Sequence, residues 1–344
     1  MKQKTHIFFA IITCSVFLQS TFANASNNEE DVIGMSILSR LPGLWNGPVY
    51  SSTPAGSFPM WYVDLRPVSP GQISFYSSLD AETINYLTFF IVRHDNKLKV
   101  AIRTEGVFQN KGCVTYEVID SVNENLGYYR FSDFQSGVNR AYTEFRFTDE
   151  SHFVMEVYTN KFNMVKPLEL HSRWEAKCFD KTAAQQAVSH FNFPQSIMVK
   201  DFSEVFAGMH ETIYYTFEND PYSSTKQPYI GSLSIQVNID KKIKVSSKDE
   251  LFIMLTAESI FDNGLYISDK LQYLSRFVYL PYNTRNYTFN NLHPGTYYMY
   301  AYIDTNGDKK HTKGEYMSSG TGKIVRILPE SKGFEDIDID IKIP

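Results

Sequence analysis

The chain is poor in cysteine, in tryptophan, in clustered histidine and in long apolar runs, and each shortage excludes something. Its 344 residues hold three cysteines and eight histidines, with no C-x-x-C and no H-x-x-x-H spacing. Neither a zinc helix nor a thioredoxin-type redox pair can be built from that set. No G-x-S-x-G elbow and no glycine-rich phosphate loop occur. Beyond residue 25 no stretch reaches the roughly 20 apolar residues that a membrane helix needs. Basic charge is not in excess either: the formal net charge is −5, so nothing draws the chain electrostatically to nucleic acid.

What is present points to a folded β-rich protein. Hydrophobic residues make up 43% and charged residues 21%, enough apolar content to bury a core, which excludes a disordered tail or a collagen-like fibre. Against 3 Trp stand 23 Tyr and 26 Phe, an excess that favours pleated sheet.

Residues 1–25 read as a cleaved export signal. Lys2 and Lys4 form a basic start, residues 7–18 an apolar run, and Ala23-Asn24-Ala25 the small residues that a signal peptidase reads. A lipoprotein signal with its cysteine at Cys14 is the alternative. Cleavage would remove two lysines and no acids, moving the charge from −5 to −7. The mature protein is expected to be secreted or periplasmic, without an integral membrane segment. Cys113 and Cys178 then remain, most simply as one disulfide in an oxidising compartment, with two buried thiols as the alternative.

From about residue 41 to 178 short strand-like runs follow one another: 60–65, 72–77, 87–93, 97–103, 114–120, 127–131, 142–147, 153–158 and 168–177. In Tyr142-Thr143-Glu144-Phe145-Arg146-Phe147 aromatic and polar residues alternate, and His94-Asp95-Asn96 and Asp149-Glu150-Ser151 are turn material at hairpin distance. Eight to ten sequential antiparallel strands must close into a barrel or split into two sheets, and short connections throughout favour closure.

Gly43-Leu44-Trp45 resembles the G-x-W signature that opens lipocalin-like (calycin) barrels, and Arg173-Trp174 sits where those barrels carry an arginine stacked on that tryptophan. The resemblance covers about residues 40–180. It implies a barrel over residues 36–180, closed at its base by Gly43, Trp45 and Arg173, with a small apolar or amphipathic ligand inside. A strand count nearer ten would bring it closer to fatty-acid carriers, where Arg93 and Arg103, if they point inward, would meet a carboxylate head group. Outward orientation into solvent is the alternative.

Residues 181–190 read as one short helix outside the barrel, and 181–229 as the connection to a second domain, with helical spacing at 201–209. Seven further strands follow between residues 230 and 344. Phe289-Asn290-Asn291-Leu292-His293-Pro294-Gly295-Thr296-Tyr297 resembles the F-x-x-L-x-P-G-x-Y hairpin of carboxypeptidase-regulatory-like and transthyretin-like sandwiches. The fold class is therefore all-β: an N-terminal antiparallel up-and-down barrel plus a C-terminal seven-stranded β-sandwich. The resemblance implies a non-catalytic appendage, a spacer or a site for a protein partner. The last strand alternates Asp336-Ile337-Asp338-Ile339-Asp340-Ile341, one acidic face that would block edge aggregation.

One loop carries chemistry. With Asp304 at position 1, Asn306 falls at 3, Asp308 at 5, Lys310 at 7 (through its carbonyl) and Glu315 at 12, oxygen donors at Ca2+-loop spacing. Asn306-Gly307 between strands is equally a hairpin signal, and Lys309, Lys310 and Lys313 repel a cation. Both readings stand at this point. No catalytic constellation emerges: Asp80 and Glu82 could form a glycosidase pair on paper, and His171 could ligate a haem, but turn acids and surface histidines account for both. The leading reading is a secreted non-enzymatic binding protein. The alternatives are a surface-interaction protein with a filled barrel and an extracellular hydrolase. Asn286-Tyr287-Thr288 is a glycosylation sequon, meaningful only in a eukaryotic secretory pathway.

Overall fold

The computed structural model describes residues 31–52, 57–69, 71–77, 79–80, 83–108, 111–132, 141–159, 167–189, 191–193, 199–201, 213–216, 230–257, 259–262, 265–266, 275–309 and 312–342. The export signal, Glu82, His190, Lys310 and His311, and residues 202–209 of the segment with helical spacing lie outside them. Residues 31–344 form one compact unit. No described helix is long and apolar enough to cross a membrane, which says nothing about strands.

The strand β1 (Val32–Ile33) and the helix α1 (Met35–Arg40) lead into β2 (Gly43–Ser51), β3 (Phe58–Ser69), β4 (Gln72–Ser77), the two-residue β5 (Leu79–Asp80), β6 (Thr83–His94) and β7 (Lys97–Phe108). Then come β8 (Lys111–Asn123), β9 (Tyr128–Ser132), β10 (Ala141–Asp149), β11 (His152–Thr159), β12 (Glu169–Asp180) and α2 (Ala183–Val188). Apart from β5, each of β3 to β12 pairs antiparallel with the strand before it, and β12 returns to β2. The result is a closed, ten-stranded up-and-down barrel. Closure removes sheet edges, and some of the successive strands are joined by tight turns. One such turn is Asp95-Asn96, where both residues take positive φ.

The barrel is packed with aromatic side chains. Phe89, Phe131, Phe145 and Phe153 touch edge-on or tilted, with centroids 5.8–6.2 Å apart. Such pairs each add about 0.5–1.5 kcal/mol beyond their area burial.

The outer faces of β6, β7 and β8 are buried as well: Phe90, Val92, Ala101, Val114, Tyr116 and Val118 are all at most 5% exposed. Short strands from the connection lie along this side, β13 (Val199–Asp201) on β6 and β14 (Ile213–Thr216) on β8. The connection is thus partly built into the barrel's sheet.

The C-terminal strands are β15 (Gly231–Ile239), β16 (Glu250–Thr256), the small hairpin β17 (Phe261–Asp262) and β18 (Leu265–Tyr266), β19 (Ser275–Pro281), β20 (Asn286–Leu292) and β21 (Gly295–Asp304). After these come β22 (Tyr316–Met317), β23 (Lys323–Ile327), β24 (Lys332–Ile339) and β25 (Ile341–Lys342). One three-stranded sheet runs β20-β15-β24, with β15 and β24 parallel. The other has the order β25-β22-β21-β16-β19-β5, with β23 also on β21. The two sheets share one core, Leu233, Ile235 and Ile337 from the first and Leu251, Ile253, Met299 and Ile303 from the second.

The barrel is joined to these sheets in three ways. β5, from the barrel half of the chain, adds in parallel to β19, opposite Arg276 and Phe277. Leu44 and Tyr62 on the outer barrel face and Ala184 of α2 belong to the C-terminal core. Asp180 fixes the start of α2, its carboxylate accepting from the Thr182 and Ala183 amides at 2.8 and 3.0 Å. The third tie is polar. Arg66, fully buried, donates through Nε to Asp64 Oδ2 and through Nη1 to the Pro294 carbonyl, both at 2.7 Å. Its guanidinium lies 5.5 Å from the Tyr297 ring. Gly295 is required beside it, since a Cβ there would run into the guanidinium.

Candidate ligand-binding site in the barrel

One end of the barrel is shut by α1. Ile37, Leu38 and Leu41 are buried among the barrel's aromatic residues. Trp45, 0% exposed, packs on Phe153 at 4.6 Å and donates its indole N–H to the Leu41 carbonyl at 2.7 Å. Ser36 Oγ hydrogen-bonds the Tyr129 hydroxyl at 2.8 Å, and Arg40 lies 5.3 Å from the Phe147 ring. Gly43 admits the close approach of β12, for a Cβ there would crowd Cys178 Sγ and the Trp45 indole.

Arg173 is not part of this closure. It follows the strand alternation that turns Trp174 inward and so points out, where Nη1 donates to Glu156 at 3.0 Å and Nε to Glu175 at 2.9 Å. The guanidinium near the barrel base is that of Arg40.

Further along the barrel the inward-facing residues change character. On β7 and β8 the series continues from Ile102 to Thr104 and from Ile119 back to Glu117 and Thr115, with Ile102 opposite Glu117 and Thr104 opposite Thr115. On β10 it passes from Phe145 to Thr143, opposite Val157. Glu117 is 7% exposed and Thr143 6%. Two tryptophans complete this zone: Trp61 and Trp174 lie with centroids 4.9 Å apart, and Trp174 rests edge-on against Phe153 at 5.2 Å. Trp174 is 2% exposed, yet its indole N–H has no hydrogen-bond acceptor among the described residues. A buried donor left without a partner costs about 1–3 kcal/mol.

Neither arginine expected to meet a ligand lines this zone. Arg103 sits on the outer face of β7, buried, with Nε donating to the Tyr116 hydroxyl at 3.3 Å. Arg93 is exposed at the closed end, two residues before the 95–96 turn. The expected Cys113–Cys178 bridge is not formed: Cys178 is a free thiol opposite Trp45, and burial pushes its pKa up. Cys113 lies on β8, four strands round the barrel from β12. At about 4.8 Å per strand that is far beyond the roughly 7 Å a disulfide spans between Cα atoms.

The 304–315 loop is held by its own donors. The buried Asp304 carboxylate accepts from the amides of Asn306, Gly307 and Lys309 at 3.2, 2.7 and 2.9 Å. Glu315 accepts from the Thr305 and Thr312 amides at 2.8 and 3.0 Å. Asp308 accepts from Asn306 Nδ2 and the Thr312 hydroxyl. Among the described residues no three acidic, histidine or cysteine side chains converge as a metal site. Within its described residues the loop is held by these internal hydrogen bonds.

Two carboxylates do meet on the outer barrel face, Glu144 and Glu156, opposite one another in register. All four oxygens are engaged: Tyr128 and Arg146 donate to Glu144, and Arg173, Tyr158 and Arg146 to Glu156. Burial and Glu144 push the Tyr128 pKa up to about 12. Oxygens bound in this way are set for an ion-pair ladder, not for proton transfer. Asp80 lies on β5, paired with Phe277 of the C-terminal sheet. His171 hydrogen-bonds Ser52 Oγ at 3.2 Å.

No family model matches the chain, and no curated protein does. Among solved structures a pilus-presented adhesin, Spy0125 (Cpa), aligns at 8% identity and a TM-score of 0.19, over 54% of this chain and 36% of that protein's chain. A likeness that slight carries no argument about fold or activity.

Proposed function

We propose that the protein is an exported, non-catalytic binding protein whose barrel holds a small amphipathic molecule. On this reading the barrel is lipocalin-like and the C-terminal sheets form a sandwich of the carboxypeptidase-regulatory-like or transthyretin-like kind, acting as spacer or protein-interaction module. The observation that carries it is the Trp174 indole N–H, buried inside the barrel without an acceptor. An oxygen supplied by a bound molecule satisfies that donor, and the two indoles packed together there, tilted by 60°, offer an apolar wall. The closed end gives such a molecule a floor.

All three tryptophans lie in the barrel, so intrinsic fluorescence reports the site directly. Addition of N-phenyl-1-naphthylamine to the full chain is expected to quench the tryptophans while its own emission rises, and native mass spectrometry after gentle purification to show an organic adduct. No quenching together with a bare mass would leave the second reading, a surface-interaction protein with a filled barrel. The close-packed Phe89–Phe131–Phe145–Phe153 group favours that alternative in the lower half of the barrel.

A further inference from the structure

Resting on the reading that the barrel holds a ligand, we infer the size and the seat of that ligand: it is a compact amphiphile, about as long as a ten-carbon chain, held in the upper half of the barrel, and not a long-chain lipid. Exposure along the inward-facing residues changes at a similar distance from the closed end on five strands. On β6 Ile91 and Phe89 are at most 1% exposed and Leu87 is partly exposed; on β7 Val100 and Ile102 give way to Thr104 in the same manner. The step recurs from Ile119 to Thr115 on β8, from Phe153 to Met155 and Val157 on β11, and from Val63 to Trp61 on β3. A side chain turned inward keeps contact with solvent only where nothing fills the barrel beside it. Thr104 is paired with Leu87 on one side and with Thr115 on the other, so these three form one continuous piece of wall.

Below that level the described residues leave no room. Phe89, Phe131, Phe145 and Phe153 are at most 2% exposed and pack ring against ring, with the Trp45 indole next to Phe153. A chain pushed in there would overpack a core that is already close-packed. Above it, β11 runs from Phe153 to Thr159 and β12 from Trp174 back to Glu169, six and five residues. At about 3.3 Å per residue and a strand tilt of about 40°, that makes a cup roughly 13–15 Å deep, the length of about ten extended methylenes. Carbon beyond that length stays in water and adds nothing to burial. The wall is mixed: Leu87, Val157 and the Trp61–Trp174 pair stand beside the Thr104, Thr115 and Thr143 side chains, which suits an apolar body that carries a hydroxyl or carbonyl.

The test is a chain-length series of neutral probes, the 1-alkanols from hexanol to tetradecanol, each displacing N-phenyl-1-naphthylamine from the full chain. Up to about decanol every added methylene is expected to lower the displacing concentration about three- to fourfold, the gain from burying one CH2. From decanol to tetradecanol the whole change is expected to stay within about twofold, because the added carbon finds no apolar surface. In Phe145→Ala, which takes one ring out of the packed half, the break moves to a longer chain. A gain that runs unbroken to tetradecanol overturns the size assignment and leaves the carrier reading in place. So does a response without length dependence from hexanol onward, or a break that Phe145→Ala leaves where it was. Failure of the dye itself to bind overturns both. The series on the unsubstituted chain decides the matter even where the alanine variant does not fold.

Discussion

Arg66 makes the junction between barrel and C-terminal sheets measurable. Methionine in its place keeps most of the apolar stem and removes the charge. Asp64, 1% exposed, then holds a buried carboxylate that has lost its cation, and the Pro294 carbonyl loses its 2.7 Å donor. Removing one partner of a buried ion pair costs about 3–5 kcal/mol. A buried carbonyl left short of its bond adds about 1 kcal/mol or more. Folded domains are stable by only about 5–15 kcal/mol, so Arg66→Met is expected to consume a large share.

Two probes separate the halves in a urea titration. Tryptophan fluorescence follows the barrel alone, since Trp45, Trp61 and Trp174 all lie there, and far-UV circular dichroism follows every strand. The two transitions should coincide in the unsubstituted protein. In Arg66→Met the midpoint should fall by the equivalent of about 4 kcal/mol or more, and the transitions should part, because the bond that crosses to the β20–β21 turn is gone. The double variant Asp64→Asn/Arg66→Met should recover about half of the loss, having no orphaned charge. A single variant within about 1 kcal/mol of the parent, or a double variant weaker than the single, would refute the argument.

Three further outcomes follow from the same coordinates. Burial, with Arg66 and Arg276 adding to it, holds the His293 pKa well below 6.5. The unfolded chain takes up a proton below pH 6.5 that the folded one refuses, so stability is full above that pH and falls below it by up to about 1.4 kcal/mol per unit; urea melts from pH 7 to 5 should show this, and His293→Asn should flatten the slope. Cys178 should be alkylated in denatured, unreduced protein and found by peptide mass spectrometry, whereas its recovery in a bridge to Cys113 would contradict the strand order. Because Asp304 and Glu315 already accept five backbone amides, millimolar calcium against chelator should leave the melting temperature unchanged, and a rise on calcium would restore the ion to the loop.

Much of the architecture is legible in the sequence because period-two alternation and turn residues are local signals. The nine barrel runs each fall on a strand of the structure, G-x-W marks the start of the first barrel strand, and the last alternating run is broken at Asp340 between β24 and β25. Arg173 was misplaced for lack of a local signal: Trp174 beside it is inward, so pleating alone sends Arg173 out, but nothing in the sequence says which of the pair is which. The parallel pairing of β15 with β24 joins residues a hundred apart and is equally silent. So is the addition of β5 to β19.

The candidate site was hidden by an inversion. In Val114-Thr115-Tyr116-Glu117-Val118 the alternation reads as Val, Tyr and Val toward a core and Thr and Glu toward water. Strand β8 does the opposite: Val114, Tyr116 and Val118 are buried on the outside of the barrel, while Glu117 shares its inward face with Ile119. The alternation is obeyed; what differs is which side is dry, because the outer wall of β6, β7 and β8 is itself buried. The run Phe89-Phe90-Ile91-Val92 on β6 carries the clue, since an unbroken apolar stretch of strand length belongs to a strand buried on both faces. Two-sided burial of β6 implies a covered outer wall for its neighbours in the sheet, and a covered outer wall frees a polar set such as Thr115 and Glu117 to face inward. The same outer burial accounts for Arg103, whose guanidinium lies on that wall and donates to the Tyr116 hydroxyl.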